Sequence, residues 1–297
     1  MVQIAVVGSI NMDLVTVASR FADPGETLIG ERFLTVAGGK GANQAVAAAR
    51  LGAKVSMIGA VGADLFGDQL WQGLQSEGID LSHVQRLADT ATGTASISVA
   101  EGENRIVIVA GANARVAPEH VLAAEATLAT ADAILVQMEI PLATVEATLR
   151  LGRKLGVPVI LNPAPAQALP REWLELASHI TPNQHELAIL IDAPAEQDFR
   201  TVLEQQSLPL VMTRGGEGVW FRTGDQIRHQ PAFQVEVVDT TGAGDTFNAA
   251  LAVFLGEGID TAVSKAAAAA ALSITQLGAQ SGMPSLAAVE ALLEQQA

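Results

Sequence analysis

The sequence contains no cysteine among its 297 residues. This absence excludes disulfide bonds, thiolate metal sites and cysteine nucleophiles. It also suits a reducing compartment, so we expect a cytoplasmic protein. Histidine is sparse, and none of the five histidines forms a metal-binding pair at helical spacing, which argues against a zinc-protease helix.

Positive charge is scarce as well. The chain has 17 lysine and arginine residues against 32 aspartate and glutamate residues, which gives a formal net charge of -15. A surface of this sign repels the phosphates of nucleic acid and of anionic membranes. We therefore expect neither nucleic acid nor membrane as a partner.

No apolar run has the length of a membrane span. The alanine-rich stretch 264–275 is about a dozen residues long, whereas a span needs roughly 20. Residues 1–13 lack the basic start and the long apolar segment of a signal peptide. Because apolar residues make up 49% of the chain, the sequence predicts a soluble protein with a sizeable core.

Short runs of β-branched residues alternate with longer runs rich in alanine and leucine. Predicted strands cover 4–8, 54–62, 131–138, 158–165, 178–183, 209–216 and 218–230, and predicted helices cover 41–52, 64–78 and 142–156. This alternation predicts a three-layer α/β/α Rossmann-like sandwich with a mostly parallel sheet. Ligands of such sheets bind beyond the carboxyl ends of the strands.

Two segments, at about 14–37 and 92–110, break the alternation. Both alternate apolar and polar residues, and the sequence EGEN at 101–104 predicts a turn between two strands. We expect them to form a small antiparallel β-sheet inserted into the α/β domain. A sheet with one uncovered face must lie over an active site, a second subunit or both. With no long linker or repeat, residues 1–297 are predicted to form a single domain.

The segment VVDTTGAGDTFNAAL (237–251) places Asp239 and Asp245 around a glycine turn. Gly242 and Gly244 allow a close backbone approach to a ligand, and the free N–H groups of the following helix favour an anion. The helix dipole is expected to keep Asp245 ionised, as a base that deprotonates a hydroxyl attacking phosphorus must be. The alternative is that Asp245 only favours the helix start.

The segment GSINMD (8–13) follows the first predicted strand. Asn11 and Asp13 lie two residues apart, so their side chains point the same way in an extended conformation. An amide beside a carboxylate suits sugar hydroxyl groups, which both donate and accept hydrogen bonds. An Asx-type turn is the alternative interpretation of this pair.

Three glycines surround Lys40 in AGGKGANQA (37–45). The segment is not a Walker A loop, because Gly41 rather than serine or threonine follows the lysine. It also lacks the dinucleotide-binding fingerprint, since Gln44 stands where the third glycine is required. It is either a ligand-binding loop or a simple connection into a helix.

Three further sites carry weaker signals. Glu139 follows a very apolar strand, where a carboxylate is costly unless it faces a functional site. Asn183 and Glu186 lie three apart before a predicted helix, so they could bind Mg²⁺ through water or form a capping pair. The glycine-rich segment 213–218 could form the floor of a nucleotide site.

Seven segments together resemble the ordered motifs of the ribokinase-like (PfkB-type) carbohydrate kinase family. They are GSINMD, GGKGANQAVAAARLG, QMEIP, LNPAPA, TPNQHE, TRGGEGVW and DTTGAGDTFNAAL, and they span nearly the whole chain in the family's order. Each motif is weak or moderate alone, and the set is highly specific.

The resemblance implies a three-layer α/β fold with a β-sheet lid that commonly forms a homodimer interface. It implies Mg²⁺-dependent transfer of the γ-phosphoryl group of ATP to the 5-hydroxyl group of D-ribose. Deoxyribose, fructose, a ketodeoxy acid and a nucleoside are the alternative acceptors within the family. A non-catalytic sugar- or nucleotide-binding regulator on the same fold is an alternative of another class. A nicotinamide-dependent oxidoreductase is disfavoured by the missing fingerprint.

The resemblance also assigns roles to individual positions. The catalytic base and anion hole would be Asp245 with Gly242, Ala243 and Gly244. The sugar would meet Asn11, Met12, Asp13, Gly39, Lys40, Gly41, Ala42, Asn43, Ala95, Ile97, Glu139 and Asp245. The nucleotide would meet Asn183, Thr213, Arg214, Gly215, Gly216, Glu217, Gly218 and Gly244. Glu186 would act on Mg²⁺ indirectly. An activating potassium ion would lie at Asp239, Thr241, Ser273, Gln276, Gly278 and Gly282.

Two positions depart from the family pattern. Gly282 stands where a serine is common, so one side-chain ligand for potassium is absent. Ala267 stands where a histidine or asparagine often contacts adenine, so the sequence supports no such contact there.

Overall fold

The computed structural model describes residues 1–192, 199–224 and 226–296. Within these residues the strands are β1 (Gln3–Val7), β2 (Asn11–Val17), β3 (Arg32–Gly38), β4 (Lys54–Gly62), β5 (Asp80–Leu87), β6 (Gly93–Ala100), β7 (Glu103–Val109), β8 (Ala133–Gln137), β9 (Val159–Asn162), β10 (His179–Ile180), β11 (Val211–Thr213), β12 (Val219–Thr223) and β13 (Gln226–Gln230). The helices are α1 (Lys40–Arg50), α2 (Leu65–Ser76), α3 (Pro118–Ala123), α4 (Glu125–Leu128), α5 (Leu142–Leu155), α6 (Arg171–Leu174), α7 (Gln184–Leu190), α8 (Phe199–Gln205), α9 (Ala243–Phe254), α10 (Ile259–Ser273) and α11 (Leu286–Gln295).

The central sheet contains six parallel strands in the order β10-β9-β8-β1-β4-β5. Successive side chains of β1 enter different cores, because Ile4 and Val6 pack on one face of the sheet and Ala5 and Val7 on the other. Helices α1, α9 and α10 contribute to the first core, and α5 and α7 contribute to the second. The predicted α/β/α sandwich with a mostly parallel sheet is confirmed.

Small residues bring α1 close to the first strand and its turn. A Cβ on Gly41 would lie 2.6 Å from the carbonyl carbon of Gly8, so only glycine permits this approach. The alanines of α1 pack against α9 inside the first core. This close packing places the start of α1 beside the start of α9, at the carboxyl end of β1.

A second sheet has the order β3-β2-β6-β7 and projects from the central one. The β2–β3 and β6–β7 pairs are antiparallel, whereas β2 and β6, which come from separate insertions, pair in parallel. We call this sheet the lid. Strand β2 begins at Asn11, three residues before the predicted segment 14–37, because the sugar-site motif itself forms the start of the strand.

The third sheet is antiparallel, with the order β11-β12-β13. It continues the central sheet, since single bridges join Ile180 to Leu210 and Asn183 to Thr213. The predicted strand 218–230 is a hairpin that turns at Gly224, which adopts a φ of +58°. Among the helices of the described ranges, none is both long and apolar enough to cross a membrane.

Candidate active site

Asp245 lies in the first turn of α9 and is only 7% exposed. Its side chain lines a cavity of about 120 Å³ at the carboxyl ends of the central strands. Six predicted site residues share this cavity with Asp245, namely Lys40, Asn183, Glu186, Thr213, Gly242 and Gly244. The structure thus brings together positions from four separate sequence segments.

Both carboxylate oxygens of Asp245 accept a hydrogen bond from a side chain of α1. The Nδ2 atom of Asn43 donates to Oδ2 at 2.9 Å, and the Nε2 atom of Gln44 donates to Oδ1 at 3.1 Å. Burial raises the pKa of Asp245, while Lys40 and these two amides act to lower it. Burial thus opposes the expected ionisation of Asp245, and that ionisation stays a prediction. A raised pKa is the direction that makes a carboxylate a stronger base.

The glycine turn before α9 leaves room for an anion. Gly242 has a left-handed φ of +80°, and a Cβ there would lie 2.9 Å from the Cβ of Ala279. A Cβ on Gly244 would meet no described atom within 4 Å, because it would project into open space. Within the described residues no side chain caps α9, so its first N–H groups are available to an anionic ligand.

Lys40 begins α1 and is surrounded by acidic side chains. Its backbone N–H donates to Oε2 of Glu139 at 3.2 Å. Burial acts to lower the pKa of the Lys40 ammonium group, but four carboxylates together raise it, those of Asp245, Glu139, Glu186 and Asp13. The lysine therefore stays charged and is the cation of this acidic site.

The predicted sugar-side residues meet at the root of the lid. Glu139 Oε2 accepts hydrogen bonds from Ser9 Oγ at 2.5 Å and, at a long 3.4 Å, from Asn11 Nδ2. Asn113 in turn donates from Nδ2 to the side-chain oxygen of Asn11 at 2.7 Å. Asn113 was not predicted, and it turns the amino group of Asn11 toward Glu139.

Asp13 lies on β2 with its carboxylate against the backbone of Gly38. A Cβ on Gly38 would be only 2.3 Å from Oδ2 of Asp13, so a side chain there would displace the carboxylate. Burial, then Glu139 and Asp245, raise the pKa of Asp13 to about 7, opposed by Lys40. Ala95 is directly opposite Asp13 in the β2–β6 register, and Ile97 lies on the same face two residues further along.

Four predicted sugar positions have packing roles in the structure. Met12 lies on the other face of β2 and, like Ala42, is buried in the first core. Gly41 serves the close packing of α1 on the first turn. Gly39 has a φ of +89°, and a Cβ there would lie 2.6 Å from the N atom of Asn11. These residues support the site through the backbone, and the structure does not place the side chains of Met12 or Ala42 in a cavity.

A second cavity of about 370 Å³ adjoins the first, and Thr213 and Gly244 line both. Its remaining lining is largely apolar and includes Ala267, which leaves that position without a polar group for a base. The predicted nucleotide positions Gly215, Gly216 and Gly218 also line it. A large apolar cavity joined to a small polar one suits a nucleotide base and its phosphates.

Arg214 and Glu217 are absent from the lining described for this cavity. The Arg214 guanidinium group lies 3.9 Å from the ring centroid of Phe199 and pairs with Glu217 at 3.1 Å. Phe199 and Glu217 thus hold the Arg214 side chain, and its predicted contact with the nucleotide stays a prediction.

Asn183 and Glu186 form the predicted capping pair, and their role toward Mg²⁺ stays a prediction. They form a capping box at the start of α7, with Glu186 N donating to Asn183 Oδ1 at 2.9 Å and Asn183 N donating to Glu186 Oε2 at 2.8 Å. Both also line the smaller cavity. Burial raises the pKa of Glu186, against the opposing effect of the Asn183 hydrogen bond.

The predicted potassium positions form two groups. Asp239 accepts hydrogen bonds from the N–H and hydroxyl groups of Thr241, at 2.9 and 2.6 Å, and from Gly278 N at 2.8 Å. Burial opposes these bonds, but they hold the pKa of Asp239 below its usual value. Gly282 packs on Ser273, where a Cβ would lie 2.0 Å from the carbonyl oxygen. The side chain of Gln276 is exposed.

Several residues of the site were not predicted. Asn162, Thr181 and Asn248 line the smaller cavity. Asn162 ends β9, so the rule that ligands bind at the carboxyl ends of parallel strands could have identified it. No local pattern marks Gln44, which contacts Asp245 from a position 201 residues earlier in the chain.

The family model for pfkB family carbohydrate kinases matches residues 1–286. The chain belongs to this family. The predicted family resemblance is thus confirmed.

Known members of the kinase family match over nearly their full length. A ribokinase of Bacillus subtilis is 45% identical over 292 residues, which cover 98% of this chain and 99% of that protein. A deoxyribokinase of Salmonella typhi is 38% identical and covers 95% and 96% of the two chains. The structure of Arabidopsis thaliana ribokinase complexed with ribose and ATP superposes with a TM-score of 0.91 at 33% identity, covering 99% of each chain.

Proposed function

We propose that this kinase is a ribokinase, which transfers the γ-phosphoryl group of ATP to the 5-hydroxyl group of D-ribose in the cytoplasm. We treat residues 1–297 as one catalytic domain. The observation that carries the proposal is the position of Asp245, buried at the start of α9 where Gly244 borders both cavities. The extent of similarity to ribokinases supports ribose as the acceptor.

In the proposed reaction Asp245 accepts the proton of the 5-hydroxyl group as its oxygen attacks the γ-phosphorus. The bond from that phosphorus to the bridging oxygen of ADP breaks, and ADP leaves with the bonding electron pair. The N–H groups at the start of α9 and the ammonium group of Lys40 balance the phosphoryl charge. Asn11, Asp13 and Glu139 hold the remaining sugar hydroxyl groups.

Magnesium enters the proposal with ATP. Besides Asp245, the smaller cavity offers the acidic side chain of Glu186, together with the amide oxygens of Asn162 and Asn248. Because Oε2 of Glu186 already accepts the N–H of Asn183, the residue fits a water-mediated role. The ion would neutralise phosphate charge as the transfer proceeds.

An activating potassium ion near Asp239 also remains part of the proposal. The low pKa of this carboxyl group suits a neighbouring cation. The residues fit such an ion only in part, since Gly282 supplies no side-chain ligand and packs against Ser273. The test is the turnover rate in potassium, sodium and choline chloride at equal ionic strength.

The proposal includes a homodimer formed through the lid. Four consecutive residues of β7 are 44–66% exposed, Ile106, Val107, Ile108 and Val109. Strand β7 is also an edge of its sheet. A long apolar edge strand is an aggregation hazard unless it is covered, and a second copy of the lid would supply a matching surface.

The function is tested by ³¹P NMR of ATP incubated with D-ribose, with 2-deoxyribose and fructose in parallel. We expect a sugar phosphate resonance with ribose to grow fastest. Faster turnover of 2-deoxyribose would favour the alternative that the deoxyribokinase similarity supports. Binding of sugar without any phosphate transfer would instead identify a regulator.

A further inference from the structure

The amides that bind Asp245 are themselves held by two glutamines. Gln137, the last residue of β8, donates from Nε2 to Oε1 of Gln44 at 2.6 Å. Gln280 donates from Nε2 to Oδ1 of Asn43 at 3.0 Å. Each glutamine therefore occupies the carbonyl oxygen of one amide and leaves its amino group to face Asp245.

We propose that Gln137 and Gln280 are positioning residues for the phosphoryl transfer, each fixing the amide orientation of the neighbour that binds Asp245. The inference rests on the proposed role of Asp245 as the base. A side-chain amide can present either an oxygen or an amino group to a partner. An oxygen turned toward Asp245 would repel the ionised carboxylate, so the choice of orientation decides whether the base is available.

Gln137 is held at a cost that packing alone does not explain. Its side chain is completely buried, and its Oε1 atom is a buried polar atom without a hydrogen-bond partner among the described residues. A Cβ on Gly8 would lie only 2.1 Å from that oxygen. An unbonded buried carbonyl group destabilises the folded protein, whereas an apolar side chain of similar size carries no such group. The hydrogen bond to Gln44 supplies the reason for an amide.

Arg50 holds the loop that carries Gln280 in place. Arg50, at the end of α1, donates to the backbone oxygen of Gln280 and forms an ion pair with Glu77 at 2.6 Å. The loop that carries Gln280 is thus tied to the same helix as Asn43. This anchor keeps the glutamine at hydrogen-bonding distance although its side chain is only half-buried.

The charged groups that face Asp245 are Lys40, Glu139, Asp13 and Glu186. They remain unchanged when either glutamine is replaced. A shift in the pH dependence of turnover can therefore be assigned to the amides.

The test compares Gln137→Met and Gln280→Met with the wild type, using kcat at saturating ribose and MgATP in constant potassium. At saturating ribose, the ionisation of Asp13 should not affect kcat, because its effect on ribose binding appears in KM. We expect the acid limb of the kcat–pH profile to shift to higher pH by about 0.5–1 unit, because the free energy of one hydrogen bond corresponds to a pKa change of about that size. Turnover should fall about three- to tenfold on the acid side and recover at high pH.

Gln137→Glu keeps the side-chain size but replaces the amino group with an acceptor. Gln44 should then turn its amino group to the new carboxylate and its oxygen to Asp245, so the limb should move further than in Gln137→Met. Gln72→Met, an exposed substitution on α2, is the matched control and should leave the limb in place.

Measurements of stability distinguish a positioning role of the two glutamines from a purely structural one. Gln137→Met should unfold in urea near the wild-type midpoint, because removal of the unbonded oxygen of Gln137 offsets the loss of the donor to Oε1 of Gln44, and its ribose KM should be unchanged. An unmoved acid limb in both methionine variants would overturn the proposal. If Gln137→Met fails to fold, Gln280→Met alone decides. Wild-type turnover in Asp245→Asn would instead reject the proposed base.

Discussion

Asn43 and Asp245 are 202 residues apart in the chain, yet the amide of the first donates to the carboxylate of the second at 2.9 Å. The contact joins the start of α1 to the start of α9. A proposed sugar-binding residue and the proposed base are thus held by one hydrogen bond. Under the proposed function, this bond would couple the position of the sugar to proton acceptance by Asp245.

The Asp245→Asn variant should lose about 10²- to 10⁴-fold in kcat, because a general base contributes about that much. The KM values for ribose and ATP should change little, since the side-chain shape is kept. Its thermal stability should change little, because removal of a buried carboxyl group with a raised pKa is offset by the loss of one of the two oxygens that accept from Asn43 and Gln44. The measurements are a coupled ADP assay and a thermal melt. Turnover within a few-fold of the wild type would exclude Asp245 as the base.

The Asp13→Asn variant should bind ribose weakly but fold more stably at neutral pH. The pKa of Asp13 is raised from 3.8 to about 7 in the folded protein. The unfolded chain therefore loses this proton first, and the wild-type free energy of unfolding falls as pH rises between these two values. Asp13→Asn has no carboxyl group at this position, so its free energy of unfolding does not fall in this way.

The stability advantage of Asp13→Asn should therefore be small near pH 4 and on the order of 2–4 kcal/mol above about pH 7. Urea unfolding at several pH values measures it. Glu31→Gln, an exposed change directly before β3 of the lid, serves as the control. A stability difference between Asp13→Asn and the wild type that is the same at every pH would contradict the pKa assignment.

Two glycines of the anion-binding turn should respond differently to alanine. Gly242→Ala places a side chain at a φ of +80° and 2.9 Å from Ala279, so stability should fall by about 1–3 kcal/mol. Gly244→Ala meets no described atom within 4 Å and lies inside α9. Its stability should hold, while the KM for ATP rises and kcat drops.

Thermal melts and steady-state kinetics on the two alanine variants measure this contrast. Normal kinetics in Gly244→Ala would show that no phosphate approaches this part of the turn.

The Val107→Asp variant should separate the proposed dimer. Val107 is 66% exposed on β7, and a charge there would be buried without a partner in a lid-to-lid interface. Light scattering after size exclusion should report a monomer. Leu122→Asp, at a 54% exposed residue of α3, should leave the mass unchanged. A wild-type monomer, or an undisturbed Val107→Asp dimer, would rule out this interface.

Elements with strong periodicity were predictable from the sequence. Strand β4 has the predicted bounds of 54–62, and α9 begins at Ala243 as the glycine turn indicates. Strand β5 was missed because it is an edge strand of mixed polarity, DLSHVQRL, without a continuous apolar run. The predicted strand 158–165 ends at Asn162, since the proline that follows cannot donate to the sheet.

The site was predictable only where a residue type has a chemical meaning by itself. Asp245 beside glycines suggests a base at an anion site from local sequence. The raised pKa of Asp245 is not visible there, because it depends on burial by distant segments. The same limit applies to Gln137, whose single polar partner is on another element.

Asn113 binds both the N–H and the carbonyl oxygen of Ile10, at 2.9 and 3.1 Å, as well as the side chain of Asn11. Asn113 therefore links the segment that enters the lid, at Ile10 and Asn11, to the segment that leaves the lid after β7. If the lid moves, both segments must move together, and Asn11 must move with them. Under the proposed function, closure of the lid over the sugar and the approach of the Asn11 amide to it would then occur in one movement.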